Sequence, residues 1–177
     1  MKDEWVDIAI RAAEQAGEEI LKIYNSDYEV ITKADESPVT AADIASNNII
    51  QSILKDTAIP VLSEEEDFGS YESRKDLPFL WVIDPLDGTK EFINKHDDFA
   101  VNIALVVKNK PVFGLIYIPV RKQTYFAIKG EGAFLLENGV KARLPKILRR
   151  DNYIFLKSRS HPDEKLEKYL EKRIVRS

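Results

Sequence analysis

The chain has 177 residues, a net charge of −4 and an apolar share of 44%, which suffices for one globular domain, or one and a fraction, with a real core. The acidic pI of about 5.4 argues against non-specific nucleic-acid binding, which needs a basic surface. Because cysteine is absent, disulfides, zinc–thiolate sites and a cysteine nucleophile are excluded. The two histidines, His96 and His161, are expected to be surface or hydrogen-bonded residues, so a divalent metal would need the oxygen ligands that Mg²⁺, Mn²⁺ and Ca²⁺ prefer.

The first residues are polar and lack the apolar segment of a signal peptide. No apolar run approaches the ~18 residues of a membrane-spanning helix. The expected location is therefore the cytoplasm, and peripheral association with the inner membrane stays open.

Apolar residues at helical spacing predict two amphipathic helices. The first is predicted over residues 3–25, and the second over roughly 41–56 with Ala45, Ile49 and Ile53 on one face.

Short apolar runs predict a largely antiparallel sheet after these helices. The runs lie at 59–62, 79–83, 101–107, 112–118 and 123–128, with a small hairpin around 134–140. Farther along, a strand at 153–156, a helix at 163–171 and the start of a strand at 174–175 are predicted. Residues 28–32 are predicted to be extended, 33–38 a polar loop and 68–78 turns. Helices followed by such a sheet indicate an α+β or layered α/β fold.

Two acidic clusters follow two of these strands. Glu64 and Glu65 come after one strand, and Asp84 and Asp87 come after the other. Strands that are neighbours and end in carboxylates would place several oxygens on one rim of the sheet. Mg²⁺ takes such ligands at about 2.0–2.1 Å and keeps waters at its other positions. Two ions about 3.5–4 Å apart can hold both the attacking and the leaving oxygen of a phosphoryl transfer.

The segment after the second strand suits this geometry. Proline fixes φ, so residues 84–87 can turn sharply and direct two carboxylates and the carbonyl of Leu86 to one place. Gly88 and Thr89 follow, where backbone N–H groups at a helix start would favour a phosphate anion. The Thr89 hydroxyl is also suited to orienting a water molecule.

Each of these residues also has a plainer structural interpretation. Asp87 with Gly88 is a common turn dipeptide. Asp43, three residues after Thr40, fits a capping box. The acidic residues 64–67 taken alone are typical of a solvated loop. The functional interpretation depends on the clusters occurring together and in order.

In that order, residues 39–43, 62–65 and 81–89 resemble the signature of the inositol monophosphatase superfamily. Residues 90–93, Lys-Glu-Phe-Ile, and 158–161, Ser-Arg-Ser-His, are similar to its 3′(2′),5′-bisphosphate nucleotidase (CysQ-type) branch. The resemblance extends over nearly the whole chain.

The resemblance implies a layered α/β sugar-phosphatase-like sandwich of which the chain is the N-terminal part. Residues 1–177 would form a single N-terminal α+β phosphatase domain, with a second α/β part starting at about residue 152. The implied activity is Mg²⁺-dependent, lithium-sensitive hydrolysis of the 3′-phosphate of adenosine 3′,5′-bisphosphate to AMP and phosphate. The implied partner is this small nucleotide, in a pathway such as sulfur assimilation, and a homodimer stays open.

The resemblance also implies a ligand set for two or three Mg²⁺ ions in the complete site. Glu64, Asp84 and the carbonyl of Leu86 match one metal position. Asp84 and Asp87 match part of a second, and Glu65 matches an outer-shell acidic position.

The remaining roles implied by the resemblance concern water and substrate. Asp43 and Thr89 match the pair that activates the nucleophilic water. Residues 86–89, which include Gly88, match the segment that contacts the substrate phosphate. Ser158 and His161 match positions that contact the nucleotide.

The sequence departs from the family at one point. The family carries a Trp-Asp-x-Ala-Ala-Gly segment whose aspartate completes the second metal site, and this chain contains no such segment. Because the chain ends at Ser177 within a predicted strand, we expect it to be C-terminally truncated. Whether Ser177 is the natural end, and whether the chain is active without that aspartate, stay open.

Three alternatives remain at this stage. The same chemistry on an inositol or sugar phosphate is one, although residues 90–92 argue against it. A second is a truncated chain that binds metal or nucleotide without catalysis. A third is a chain that folds poorly alone because its strand edges are exposed.

Overall fold

The computed structural model describes residues 2–26, 30–32, 38–145 and 164–174. By its internal contacts the chain divides into two units, residues 1–146 and 147–177. No helix within these described ranges is both long and apolar enough to cross a membrane. The domain boundary predicted near residue 152 stays a prediction.

Two helices form one layer of the first unit. α1 (Asp3–Tyr24) packs along α2 (Ala41–Leu54) and against the sheet. Gly17 permits close approach, because a Cβ there would overlap the ring of Tyr117. The second helix ends two residues before its predicted limit, since the chain tightens into a 3₁₀ turn at Lys55–Thr57.

The buried face of α2 is more polar than its apolar pattern indicates. Ala45, Ile49 and Ile53, which share one predicted face, are only half-buried. The fully buried residues of this helix are Ala42, Asp43, Ser46, Asn47, Ile50 and Leu54.

A small hairpin precedes α2. β1 (Val30–Thr32) pairs antiparallel with β2 (Pro38–Thr40), so the described part of the predicted extended segment is a strand. The prediction of a loop through Pro38 is wrong at that residue. Proline is tolerated there because the first residue of a strand has no ladder bond to donate.

A seven-stranded mixed sheet forms the second layer, and its strands lie side by side in chain order. They are β3 (Val61–Ser63), β4 (Phe79–Asp87), β5 (Ala100–Val107), β6 (Lys110–Ile118), β7 (Gln123–Ile128), β8 (Gly132–Glu137) and β9 (Val140–Leu144). β3 and β4 are parallel, and every later neighbour is antiparallel. The predicted α+β layered fold is therefore confirmed.

β4 is longer than its apolar run predicts. Asp84 still pairs with Asn102 of β5, and Asp87 pairs with Ala100 after a shift of register between the two aspartates. Such a bulge accommodates Pro85, which has no N–H to donate to the ladder. The acidic segment is thus the irregular end of a strand and not a free loop.

Three short elements complete the description. α3 (Tyr71–Arg74) is one helical turn within the segment predicted as turns, and α4 (Thr89–Ile93) begins where the sequence indicates a helix start. In the second unit, α5 (Glu164–Ile174) extends beyond the predicted helix. The predicted strand at 174–175 is therefore wrong at Ile174, while Val175 and the predicted strand at 153–156 lie outside the described residues.

The two faces of the sheet differ in side-chain size. The face against the helices carries large buried side chains, among them Trp81, Ile103, Leu105 and Leu115. On the other face, one cross-strand row consists of Ala104, Gly114, Ala127 and Ala133. These small residues leave an apolar groove of about 850 Å³, which has Glu64 and Asp84 among its lining residues.

Candidate active site

The two acidic clusters meet at one rim of the sheet. Ser63, the last residue of β3, pairs with Ile83 of β4, so the residues that follow each of them are neighbours. The Glu64 N–H donates to the Ile83 carbonyl at 3.2 Å, and the carboxyl groups of Glu64 and Asp84 are hydrogen-bonded to each other. The adjacency expected from the sequence is confirmed.

This proximity changes the protonation of Asp84. Burial is the largest cause and raises the pKa of Asp84 to about 7; the negative charges of Glu64 and Asp87 and the bond to Glu64 act in the same direction. A hydrogen bond from the Leu86 N–H opposes the rise. One carboxyl group of the rim therefore retains a proton near neutral pH, unless a bound cation takes the place of that proton.

A second pair lies beside this rim. The Thr89 hydroxyl is 3.0 Å from Asp43 Oδ1 and 3.2 Å from the Leu86 carbonyl oxygen, and it can donate to either. Asp43 Oδ2 accepts from both the N–H and the hydroxyl of Thr40, each at 2.7 Å. Asp43 is only 2% exposed, so its carboxylate is fixed between the start of α2 and the end of β4. The capping box is confirmed, and the same carboxylate also reaches Thr89.

Polar residues of α2 hold the two site segments, and sequence reasoning missed them. Ser46, which is fully buried, donates to the Pro85 carbonyl at 2.7 Å. Asn47 accepts from the Ser63 hydroxyl at 2.7 Å and donates to Glu66 at 2.8 Å. With Asp43 these residues occupy positions i, i+3 and i+4, which lie on one helix face. The available signal was a polar stripe on a helix that must bury a face.

Glycine is required at position 88 by the backbone. Gly88 has a φ of +92°, and a Cβ there would lie 2.8 Å from the Asp98 carbonyl oxygen. Both conditions exclude ordinary side chains. α4 begins directly afterwards, and Phe92 anchors it in a cluster with Tyr24 and Phe99 at ring-centroid distances of 5.1 and 5.4 Å. The turn predicted at residues 87–88 can therefore also hold Thr89 in a fixed position at the start of α4.

The other predicted site residues have mixed positions. Glu65 is half-buried and its N–H donates to the Ser63 hydroxyl at 3.2 Å, whereas Glu64 is exposed. His96 is half-buried, and its Nδ1 has no hydrogen-bond partner in the part of the chain that the structure describes, so the expectation of a surface or satisfied histidine is wrong there. Ser158 and His161 lie outside the described residues.

A further residue, Asn102, was missed entirely. Its Nδ2 donates to Asp87 Oδ2 at 3.0 Å from the neighbouring strand. No sequence pattern within β5 distinguishes this asparagine, since its partner lies 15 residues away.

The donor set fits a hard divalent cation. Glu64, Asp84, Asp87 and the Leu86 carbonyl offer only oxygen, the donor type that Mg²⁺ prefers. Among residues 2–26, 30–32, 38–145 and 164–174, no group of three acidic or histidine side chains is close enough to enclose an ion alone. Mg²⁺ normally retains several waters, so an open site of this kind is compatible with it. The mutual repulsion at Asp84 is also what a cation would relieve.

Three comparisons with known proteins give concordant results. The model of the inositol monophosphatase family matches residues 1–176. The 3′(2′),5′-bisphosphate nucleotidase CysQ of Shigella flexneri is 42% identical over 170 residues, which cover 94% of this chain and 68% of that protein. The crystal structure of CysQ from Bacteroides thetaiotaomicron has a TM-score of 0.78 and 42% identity, and the match covers 94% of this chain and 66% of that one.

A more distant neighbour adds information on a cation. A Staphylococcal inositol monophosphatase, solved as an inhibitory complex after soaking in LiCl, is 28% identical with a TM-score of 0.62. That match covers 76% of this chain and 50% of the neighbour. The chain thus spans about two thirds of the length of the CysQ relatives that it matches.

Proposed function

This chain belongs to the inositol monophosphatase family, and on that premise we propose that it carries catalytic elements of a 3′(2′),5′-bisphosphate nucleotidase. The reaction is hydrolysis of the 3′-phosphate of adenosine 3′,5′-bisphosphate to AMP and phosphate. The observation that carries the proposal is the union of the Glu64–Asp84 rim with the Asp43–Thr89 pair at the end of β4. The similarity to CysQ proteins supports the choice of substrate.

The acidic rim is the proposed Mg²⁺ site. Glu64, Asp84 and the Leu86 carbonyl would hold one ion, and Asp84 with Asp87 would contribute to a second. When bound, Mg²⁺ supplies positive charge that neutralises the substrate phosphate and favours ionisation of the attacking water. Glu65, tied through its N–H to Ser63, supports the position of Glu64 from outside.

Asp43 and Thr89 are proposed to manage the proton of that water. As the Thr89 hydroxyl takes the proton of the water, it passes its own hydrogen to Asp43 Oδ1, 3.0 Å away, and the carboxyl group later releases that proton to solvent. The water oxygen forms a bond to phosphorus, and the bond from phosphorus to the 3′ oxygen breaks. The 3′ oxygen takes a proton from solvent and leaves as the hydroxyl of AMP. The two bonds that Asp43 accepts from Thr40 keep its carboxylate oriented for this role.

The segment from Leu86 to Thr89 is the proposed contact with the substrate phosphate. Gly88 gives this segment its shape, because only glycine fits its positive φ and its close contact with the Asp98 carbonyl. The substrate partner is accordingly a small phosphorylated nucleotide. We place the protein in the cytoplasm, and a homodimer is compatible with the proposal.

The test is phosphate release by the product of the whole open reading frame that contains these 177 residues. Adenosine 3′,5′-bisphosphate, inositol 1-phosphate and a sugar phosphate are compared by kcat/KM at saturating Mg²⁺. We expect the bisphosphate to be preferred, Li⁺ to inhibit, and Asp87→Asn to abolish turnover with an unchanged circular dichroism spectrum. Preference for inositol phosphate would assign the other branch, while Mg²⁺ binding without turnover on any substrate would indicate a non-catalytic binder.

A further inference from the structure

Asn102 occupies a special place beside the acidic rim. It lies directly opposite Asp84 in the β4–β5 ladder, so the two side chains project from the same face of the sheet. Both residues line the groove on that face, together with Glu64. Asn102 nevertheless bonds to the other aspartate, since its Nδ2 lies 3.0 Å from Asp87 Oδ2. The Asn102 side chain therefore bridges the β-bulge that separates Asp84 from Asp87.

The chemistry of the side chain suits this position. Burial and, after it, the negative charges of Glu64 and Asp87 already raise the pKa of Asp84. An amide donates an N–H to a carboxylate without adding a charge. The amide nitrogen faces Asp87 and its oxygen faces away, since the nitrogen is the donor of this bond.

The other end of the amide is unsatisfied. Asn102 Oδ1 is buried and has no hydrogen-bond partner within the described part of the chain. Buried acceptors of this kind are uncommon and require an explanation. A strand residue selected only for packing in an apolar groove would not carry a polar group with one end unpaired. Its amide nitrogen, in contrast, bonds to Asp87.

We infer that Asn102 is the positioning residue of Asp87. Its bond fixes the rotamer of an otherwise exposed carboxylate at the irregular end of β4, so that Asp87 is available to the same cation as Asp84. This inference rests on the cation site of the proposed function, and it adds a residue from β5 to a site otherwise built by α2, β3 and β4. Partners that orient a metal-ligating carboxylate typically change metal affinity about 10–100-fold when they are removed.

The test is Mg²⁺ binding, measured by titration calorimetry and by the rise in melting temperature on adding Mg²⁺. Asn102→Leu keeps the size of the side chain and removes the donor. Gln123→Leu is the matched control, because Gln123 also donates an amide N–H to a carboxylate across two strands, at 2.6 Å from Glu137 on the same sheet. We expect Asn102→Leu to weaken Mg²⁺ binding about 10–100-fold, and Gln123→Leu to leave it within about twofold of the unmodified chain.

The outcomes separate this inference from the proposed function. Equal affinity in Asn102→Leu, an equal loss in both variants, or no Mg²⁺ binding by the unmodified chain would overturn it. Loss of binding in Asn102→Leu alone would support it even if no bisphosphate is hydrolysed, in which case only the proposed function fails. Should the leucine variant not fold, Asn102→Thr gives the same test, since threonine suits a half-buried strand and its shorter side chain does not reach Asp87.

Discussion

The most direct test of the proposed proton path is Thr89→Val, which replaces the hydroxyl by a methyl group of similar size. The change removes the donor 3.0 Å from Asp43 Oδ1 and 3.2 Å from the Leu86 carbonyl. Both bonds from Thr40 to Asp43 Oδ2 remain, so the carboxylate stays oriented. The variant thus keeps the Asp43 carboxylate in position and removes only the hydroxyl group that is proposed to take the proton of the water.

Thr89→Val is expected to lower both kcat and the stability of the fold, and the two losses differ in size. Positioned proton transfer contributes typically 10²–10⁴-fold, so kcat should fall by about that factor, or roughly 2.7–5.4 kcal/mol in activation free energy. An acceptor left unpaired costs about 1–3 kcal/mol of stability. Because Thr89 is half-buried and water can replace part of the bond, we expect about 1–2 kcal/mol and a fall in melting temperature of roughly 2–8 °C.

The assay is phosphate release at saturating Mg²⁺ and substrate, well below the melting temperature. Thr89→Ser keeps the hydroxyl and should retain most of the activity. Thr124→Val is the control for loss of a threonine hydroxyl elsewhere in the fold, since Thr124 is 1% exposed and lies on β7. A Thr89→Val protein with kcat within about threefold of the unmodified enzyme would refute the role assigned to this hydroxyl.

Two further predictions concern the rim and its support. The pKa of Asp84 is about 7 in the folded state and 3.8 ordinarily, so between these pH values the folded state binds one more proton than the unfolded state. The free energy of unfolding in EDTA should therefore decrease as the pH rises through 7. Melting curves at pH 5.5 and 8 should show this dependence of stability on pH. Asp84→Asn or saturating Mg²⁺ should abolish it. A pH dependence that persists in Asp84→Asn would contradict its assignment to Asp84. Asn47→Leu removes the acceptor of the buried Ser63 hydroxyl and one of the two side-chain donors to Glu66, so we expect a loss of about 1–3 kcal/mol in urea unfolding and a higher Mg²⁺ requirement. An unchanged Mg²⁺ titration would restrict Asn47 to a structural role.

The acidic rim could be predicted because the pattern that indicates it lies within short stretches of the sequence. An apolar run followed at once by acidic residues occurs twice, and parallel neighbours bring such ends together. The length of β4 could not be predicted in this way, because Pro85 reads as a stop while the ladder continues across a bulge to Asp87. The loop prediction fails at Pro38 for a related reason, since a proline can begin a strand as readily as it ends a loop.

The supporting contacts could not be predicted, because each joins residues far apart in sequence. The bond from Ser46 to the Pro85 carbonyl spans 39 residues, and the bond from Ser63 to Asn47 spans 16. The polar stripe that contains Ser46 and Asn47 is visible in the sequence, but whether it is buried or solvated depends on the packing of α2. The same holds for Asn102, whose importance depends on the register between β4 and β5.

The burial of these polar residues explains how an electrostatically unfavourable rim is held together. A buried polar group costs free energy unless it is hydrogen-bonded, so Asp43, Ser46 and Asn47 can lie on the inner face of α2 only while the site segments supply partners. Those segments are in turn fixed by the same bonds, which oppose the repulsion between Glu64 and Asp84. Helix burial and site geometry are thus coupled: loosening the rim exposes unsatisfied groups on α2, and an apolar substitution on α2 frees the rim. A cation that neutralises the rim should accordingly stabilise the packing of α2 as well, although no residue of that helix is proposed to touch it.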